Sequence, residues 1–283
     1  MNAWKLLLVV VVLLSVAGLV RAQEDRPEDK KLGVTLDVTY LSRYIWRGFD
    51  IYPDNHSAIQ PSIDLDFYGT GFGVNVLSSR ANGSGFENEE ELDFCLRYRN
   101  AFLAGTPTMT AYEIGWVYYS YPDRARKGPK VEGRPHVPVV ESLADVQELY
   151  VVLAWPKILN VEGLVPNYIF SHVWPAQSDS NATDNGGWIH AFGLDYALPV
   201  GNLLSDSSQQ VLDLRSQVVY NSGVGATGMV DHDWAYAVFG ASMGFALSEN
   251  LTFTPGIYYQ LSMEDTCDAD NETWFGLSLT YEF

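Results

Sequence analysis

Apolar and polar residues alternate along most of the chain with a period of two, the period of a β-strand with two different faces. The alternation begins at Gly33, and we place Tyr44 and Trp46 on the apolar face of the first segment. No amphipathic helical stretch of useful length competes with it. The pattern predicts about twelve strands, over residues 33–47, 57–68, 71–80, 89–100, 108–121, 145–156, 161–172, 187–198, 209–221, 232–247, 250–262 and 272–283.

The connections between these segments alternate in length. Links on one side are short, at 69–70, 157–160 and 248–249, although two others on that side, 101–107 and 199–208, are longer. Links on the opposite side are long and polar, at 48–56, 81–88, 122–144, 173–186, 222–231 and 263–271. Short periplasmic turns and long external loops are typical of bacterial barrels. We therefore predict an all-β fold, a transmembrane antiparallel up-and-down barrel formed by residues 33–283 as one domain.

The first residues have the order of a secretory signal peptide. A positive charge at Lys5 precedes an apolar run over 6–20, and Val20-Arg21-Ala22 offers a cleavage site. The run is shorter than the roughly 20 residues that a membrane-spanning helix needs. We predict a signal peptide over residues 1–22 and an N-terminal segment over residues 23–32.

The amino-acid composition limits the classes of partner and the cellular location that the protein can have. The formal net charge is −18 with only 17 Lys and Arg, which excludes the basic surface that nucleic-acid binding requires. The 17 Tyr and 8 Trp are residues that favour the membrane–water interface. A mean hydropathy of −0.05 suits a barrel that averages lipid-facing and lumen-facing positions. We expect a location in the bacterial outer membrane, in contact with membrane lipid and lipopolysaccharide.

The C-terminus supports the same assignment. Phe275 and Leu277 open an alternation that ends in an aromatic at the last residue, Phe283. A last strand of this kind must pair with the first strand to close a barrel. A terminal aromatic is also the signal read by the outer-membrane assembly machinery, which we expect as a partner.

The first strand and its neighbours carry a family resemblance. The segment Tyr40-Leu41-Ser42-Arg43-Tyr44-Ile45-Trp46-Arg47-Gly48, the following Ala58-Ile59-Gln60-Pro61-Ser62 and the later Glu90-Glu91-Leu92-Asp93 together resemble the TorF family of porin-like bacterial proteins, whose function is unknown. The resemblance is specific over about the first third of the mature chain and general beyond it. It implies an outer-membrane barrel, and it supplies no ligand.

Strand parity and direction predict which charged side chains face the lumen. The candidate pore-lining residues are Asp37, Arg43, Arg47, Asp64, Asp66, Arg97, Arg99, Glu113, Asp195, Asp213 and Arg215. Two interpretations stay open: an ion-pair network that stiffens the wall, or a charged ring that filters solutes by sign. Acids outnumber bases, so we expect a channel for small polar solutes or ions with modest cation preference. We expect no cofactor and no metal site.

Three strings resemble enzyme or ligand motifs. Residues 223–228 match GxGxxG and residues 240–244 match GxSxG, but neither is followed by the helix that the chemistry needs. The basic loop over 122–144 could attract anionic solutes or lipopolysaccharide phosphates. We therefore expect no catalytic residue and no enzyme activity.

Two alternatives to a channel remain. One is a structural or adhesion barrel with a plugged lumen. The other is a barrel enzyme acting on lipids, for which His190 on the apolar face is the candidate residue, although no serine at matching height accompanies it. The two cysteines, Cys95 and Cys267, are expected to be free thiols.

Overall fold

The computed structural model describes residues 31–53, 56–123, 145–176, 186–201, 210–224, 232–263, 267 and 270–283. Within them lie twelve long strands: β1 Gly33–Leu41, β2 Ala58–Asp66, β3 Phe72–Ala81, β4 Glu91–Phe102, β5 Thr110–Ser120, β6 Val146–Ala154, β7 Leu164–Pro175, β8 Gly187–Gly201, β9 Gln210–Ser222, β10 His232–Met243, β11 Leu251–Ser262 and β12 Glu272–Glu282. The predicted signal peptide and most of the basic 122–144 loop lie outside the described residues.

Every long strand pairs antiparallel with its neighbours in sequence, and the sheet closes on itself. β1 pairs with both β2 and β12, and β10 pairs with β11, so the described strands form a ring. A short strand, Phe245–Ala246, continues β10 after Gly244 and pairs with the same partner, β11. The structure is a closed twelve-stranded antiparallel barrel, which confirms the predicted fold class.

The two faces of the wall differ in chemistry. Large apolar side chains such as Leu36, Ile63 and Phe94 are exposed on the outside, whereas polar neighbours such as Thr35 and Asp64 are buried inside. Exposed apolar surface of this extent is stable only against lipid, and closure leaves no unpaired strand edge there. On that ground the protein belongs in the bacterial outer membrane. Among the described residues no helix is long and apolar enough to span a membrane.

The first strand is shorter than predicted. β1 ends at Leu41, and a two-residue hairpin, Ile45–Trp46 with Phe49–Asp50, follows. Arg47 (φ 53°) and Gly48 (φ 91°) form its turn with positive φ at both positions, as a two-residue hairpin turn of type I′ requires. We call residues 42–53 the inner hairpin. The predicted strand over 33–47 and an external loop from residue 48 were wrong, because the chain turns into the barrel at residue 42.

Candidate functional site in the barrel lumen

One side of the lumen carries a buried ion pair between strands that are not neighbours. A guanidinium nitrogen of Arg97 on β4 lies 2.6 Å from a carboxylate oxygen of Asp64 on β2. Gly73 on the intervening β3 makes this possible, because a Cβ there would lie 2.9 Å from an Arg97 nitrogen. The lack of a side chain at residue 73 therefore lets the two predicted lumen charges meet.

Two further ion pairs form between predicted lumen residues on adjacent strands. Arg99 on β4 is ion-paired with Glu113 directly opposite it on β5, and Tyr150 also donates a hydrogen bond to Glu113. Asp195 on β8 and Arg215 on β9 are register partners with charged atoms 3.9 Å apart. Six candidate residues thus belong to three compensated ion pairs: Asp64 with Arg97, Arg99 with Glu113, and Asp195 with Arg215.

The remaining predicted acids differ in environment. Asp37 is buried, has no salt bridge to any described residue, and accepts hydrogen bonds from the hydroxyls of Thr39 and Thr280, each at 2.7 Å, and from Ser278. Asp66 ends β2 and accepts a hydrogen bond from the Gly69 amide at 2.9 Å, so it shapes a turn and is not part of the charged ring. Asp213 lies on β9 opposite Ser242 of β10, and it is half-buried.

The inner hairpin occupies the lumen between the strands. Tyr44 and Tyr52 have no exposed surface, and their rings lie 5.6 Å apart. The hydroxyl of Tyr52 donates toward the Ser79 carbonyl oxygen at 3.2 Å, and the hydroxyl of Tyr44 lies 3.2 Å from a carboxylate oxygen of Glu91. Tyr44 and Trp46 therefore face the interior, and their predicted place on the apolar outer face was wrong.

The tip of the inner hairpin contacts strands on two sides of the lumen. Arg47 forms an ion pair with Glu148 on β6, whereas the Gly48 carbonyl accepts a hydrogen bond of 3.1 Å from Gln260 on β11. These two strands lie on opposite sides of a twelve-stranded ring, so the tip spans the lumen. Arg43, near the base of the hairpin, pairs with Glu272 on β12.

The ion pair at the tip also fixes the charge state of its arginine. Burial is the largest single effect and lowers the pKa of Arg47, but the carboxylate of Glu148, together with Tyr119 and Tyr236, more than offsets burial and raises that pKa above its ordinary value. The second oxygen of Glu148 accepts a hydrogen bond of 2.7 Å from Tyr119. Arg47 therefore remains a cation that holds the hairpin in place.

Two carboxylates at the start of β4 were missed by the sequence analysis. Glu91 and Asp93 are only 2% and 3% exposed, on the inward face shared with Arg97. Both lie in the predicted strand over 89–100, but neither is among the candidate pore-lining residues. Parity could have found both, because they stand at odd positions of the strand that also contains Arg97 and Arg99.

Two buried phenols, Tyr44 in the inner hairpin and Tyr121 after β5, stay protonated near the carboxylates of Glu91 and Asp93. Burial raises the pKa of Tyr44 well above its ordinary value, and the nearby carboxylates of Glu91 and Asp93 raise it further. Burial likewise raises the pKa of Tyr121, which follows β5. These hydroxyls keep their protons at physiological pH and cannot add further negative charge to this region.

The outer surface holds the residues considered for lipid chemistry. Nδ1 of His190 lies 2.7 Å from the hydroxyl of Tyr168, within a row of aromatic rings that includes Phe170. The structure adds a pair that the sequence analysis did not find, Ser222 Oγ and His232 Nδ1 at 2.8 Å, on adjacent strands at the external end. A hydroxyl–imidazole contact by itself is a cross-strand hydrogen bond of an interfacial surface.

The two cysteines are buried and unbridged. Cys95 Sγ lies 3.6 Å from the Tyr150 hydroxyl, and Cys267 Sγ lies 3.1 Å from the Ala235 carbonyl oxygen. Among the described residues no group of three or more His, Cys, Asp or Glu side chains is arranged to hold a metal ion.

A family of bacterial proteins matches the first half of the barrel. Residues 27–160 match the model described as "Bacterial protein of unknown function (Gcw_chp)". The match covers slightly less than half of the chain and includes β1 to β6. The resemblance to the TorF family stays a prediction. A search of curated proteins found no match.

Solved structures share the barrel architecture. The NanC porin superposes with a TM-score of 0.50 at 10% identity, covering 88% of this chain and 100% of that chain. The KdgM porin, solved in complex with disordered oligogalacturonate, gives a TM-score of 0.48 at 10% identity over 89% of this chain and 99% of that one. At this identity the likeness to NanC shows a common fold, a closed antiparallel barrel.

Proposed function

We propose that the protein is an outer-membrane channel for passive diffusion of small polar solutes or ions, with a modest preference for cations and no catalytic activity. The observation that supports this most is the charged inner face, where carboxylates of the described residues exceed guanidinium groups. Each of the five lumen arginines contacts one carboxylate: Arg43, Arg47, Arg97, Arg99 and Arg215. Asp37, Glu91 and Asp93 add negative charge, and charge of one sign along a pore attracts counter-ions.

The inner hairpin would form the constriction of this channel. It reaches from β6 to β11 through Arg47 and Gly48. A loop held in the lumen narrows a barrel without changing its wall. We infer that solutes pass beside the hairpin, and that its position determines the conductance.

Single-channel recording tests the proposal. The refolded mature chain in a planar bilayer should give discrete openings, and a salt gradient should give a reversal potential that favours cations. A reversal potential favouring anions would contradict the cation preference. A folded, heat-modifiable barrel that never conducts would contradict the channel itself.

The buried hairpin also supports the second candidate, a structural barrel with a plugged lumen. Gly48→Val distinguishes the two, because a Cβ at residue 48 would lie 2.7 Å from both Cys267 Cβ and the Tyr236 ring. The substitution should displace the hairpin and raise the conductance severalfold if the hairpin is the constriction. Gly85→Val is the matched control, since Gly85 also has positive φ (101°) but has nothing within 4 Å of its Cβ position. A wild-type protein without conductance, together with a Gly48→Val variant that conducts, would favour the plugged barrel.

Lipid hydrolysis by the refolded barrel tests the absence of catalysis. We expect no hydrolysis above that of empty vesicles, since Nδ1 of His190 is already engaged by Tyr168. Activity that disappears in His190→Ala or Ser222→Ala would contradict the proposal and identify a barrel enzyme.

A further inference from the structure

Three carboxylate oxygens beneath the inner hairpin are buried without a donor. Oε1 of Glu91 and both Oδ atoms of Asp93 accept no hydrogen bond among the described residues, although each is shielded from solvent. The two residues are two positions apart on one strand, so their side chains leave the same face of β4. Their carboxyl groups lie within hydrogen-bonding reach of each other. Two adjacent buried carboxylates without donors need a compensating positive species.

The neighbouring charges do not supply that species. Glu148 is a further carboxylate that interacts with Asp93, and it is already matched by Arg47 and Tyr119. The only donor recorded for the pair within the described residues is the Tyr44 hydroxyl, which lies 3.2 Å from the other oxygen of Glu91. When both carboxyl groups are ionised, two negative charges therefore remain uncompensated inside the barrel.

We infer that Glu91 and Asp93 bind a divalent metal cation beneath the inner hairpin. A charge of +2 matches the two carboxylates, and Ca²⁺ and Mg²⁺ both select carboxylate oxygens. The protein contributes two acidic ligands, fewer than a closed metal cage, so water and the Tyr44 hydroxyl complete the shell. The bound cation removes the repulsion between the carboxylates and fastens β4 to the hairpin through Tyr44.

Thermal unfolding of the refolded full-length mature barrel tests this site without relying on conductance. The probe is Ca²⁺ added to metal-free protein, with Mg²⁺ in a parallel series. Wild type should gain about 5 °C in Tm at saturating Ca²⁺, because a ligand that binds only the folded state stabilises it. The variant Glu91→Gln/Asp93→Asn should not gain Tm on addition of Ca²⁺. In the absence of metal its Tm should be higher than that of the wild type.

Glu90→Gln is the matched control. Glu90 precedes Glu91, but it lies toward solvent and pairs with Arg80 at 2.8 Å. This variant should keep the full response to Ca²⁺. If the double variant does not refold, Asp93→Asn alone is tested in its place. This single variant should lower the apparent affinity for Ca²⁺, measured by the Tm shift, at least tenfold.

Terbium luminescence gives a direct second measurement, since tyrosines near the carboxylates can sensitise bound Tb³⁺. Emission that Ca²⁺ displaces, and that Asp93→Asn abolishes while Glu90→Gln preserves it, would support the site. A wild-type Tm that ignores Ca²⁺ and Mg²⁺, or a Ca²⁺ response that survives in Glu91→Gln/Asp93→Asn, would overturn it. A Tm that ignores metal but falls as pH rises would identify a shared proton as the occupant instead.

Discussion

Buried carboxylates on the wall of the lumen and beneath the inner hairpin differ in their partners. Asp64 on the wall lies 2.6 Å from Arg97, and the pair is reached across a glycine. Among the described residues, Glu91 beneath the hairpin accepts one hydrogen bond, from the phenol of Tyr44, and the carboxylate oxygens of Asp93 have no donor. Both sets stand at inward positions of the wall, Asp64 on β2 and the other two on β4, so the difference arises from the partners that the fold brings to them.

Compensated carboxylates stabilise the barrel wall, whereas uncompensated carboxylates can bind cations. A compensated pair stiffens the wall and offers a passing solute little net field. An uncompensated pair attracts cations strongly, because a buried carboxylate in a low-dielectric site is poorly screened. Without a bound divalent cation, the cation preference that we propose therefore depends more on Glu91 and Asp93 than on Asp64 and Asp66, two of the acids predicted to line the pore.

The largest expected effect comes from breaking the wall pair. Arg97→Met should lower the free energy of unfolding by about 3 kcal/mol, because it leaves Asp64 buried without a counter-charge. Urea unfolding of the barrel in lipid vesicles measures this change. The double variant Asp64→Asn/Arg97→Met should recover most of the loss. A double variant as unstable as Arg97→Met would show that Arg97 acts through packing instead.

Neutralising one carboxylate in each region should give effects of opposite sign. Asp64→Asn should lower the free energy of unfolding by about 2 kcal/mol, since it leaves the Arg97 guanidinium unpaired. Asp93→Asn should raise it by about 1 kcal/mol in metal-free buffer, since it removes repulsion from Glu91. The same urea experiment compares the two variants. A loss of stability in both would mean that the carboxylate pair beneath the hairpin is already compensated.

The smallest effect is expected at Asp37, which has hydroxyl donors and no cation. Asp37→Asn should cost about 1 kcal/mol, because the hydroxyls of Ser278 and Thr280 can rotate to the amide while charge-assisted hydrogen bonds become neutral ones. The unfolding midpoint in urea measures it. A loss as large as that of Arg97→Met would place Asp37 among the critical lumen charges.

Alternation was a good predictor of the wall and a poor predictor of the inner hairpin. β2 to β12 follow the predicted segments within a few residues, because a closed sheet keeps each strand in contact with lipid on one side only. Beyond Leu41 the same period of two continued by coincidence through Tyr44 and Trp46. Positive φ at Arg47 and Gly48 then reverses the chain, and such a turn leaves no trace in hydrophobic periodicity.

The lumen charges show the same division. Parity correctly placed Asp64, Arg97, Arg99 and Glu113 on the inner face, but it could not show that Arg97 pairs across a strand. That contact depends on Gly73, whose position opposite Arg97 is known only once the register is known. Asp66 had the right parity but lies at a turn, where a carboxylate caps a backbone amide.

The sequence by itself determined the closed barrel, its lipid-facing side and the acidic excess of its lumen, since each follows from local alternation and composition. Tertiary structure alone decided where the first loop lies and which carboxylates keep their charge uncompensated. Both depend on contacts between residues far apart in the chain, such as Arg47 with Glu148 and Gly48 with Gln260. Such contacts require the three-dimensional closure of the ring, which no local pattern encodes.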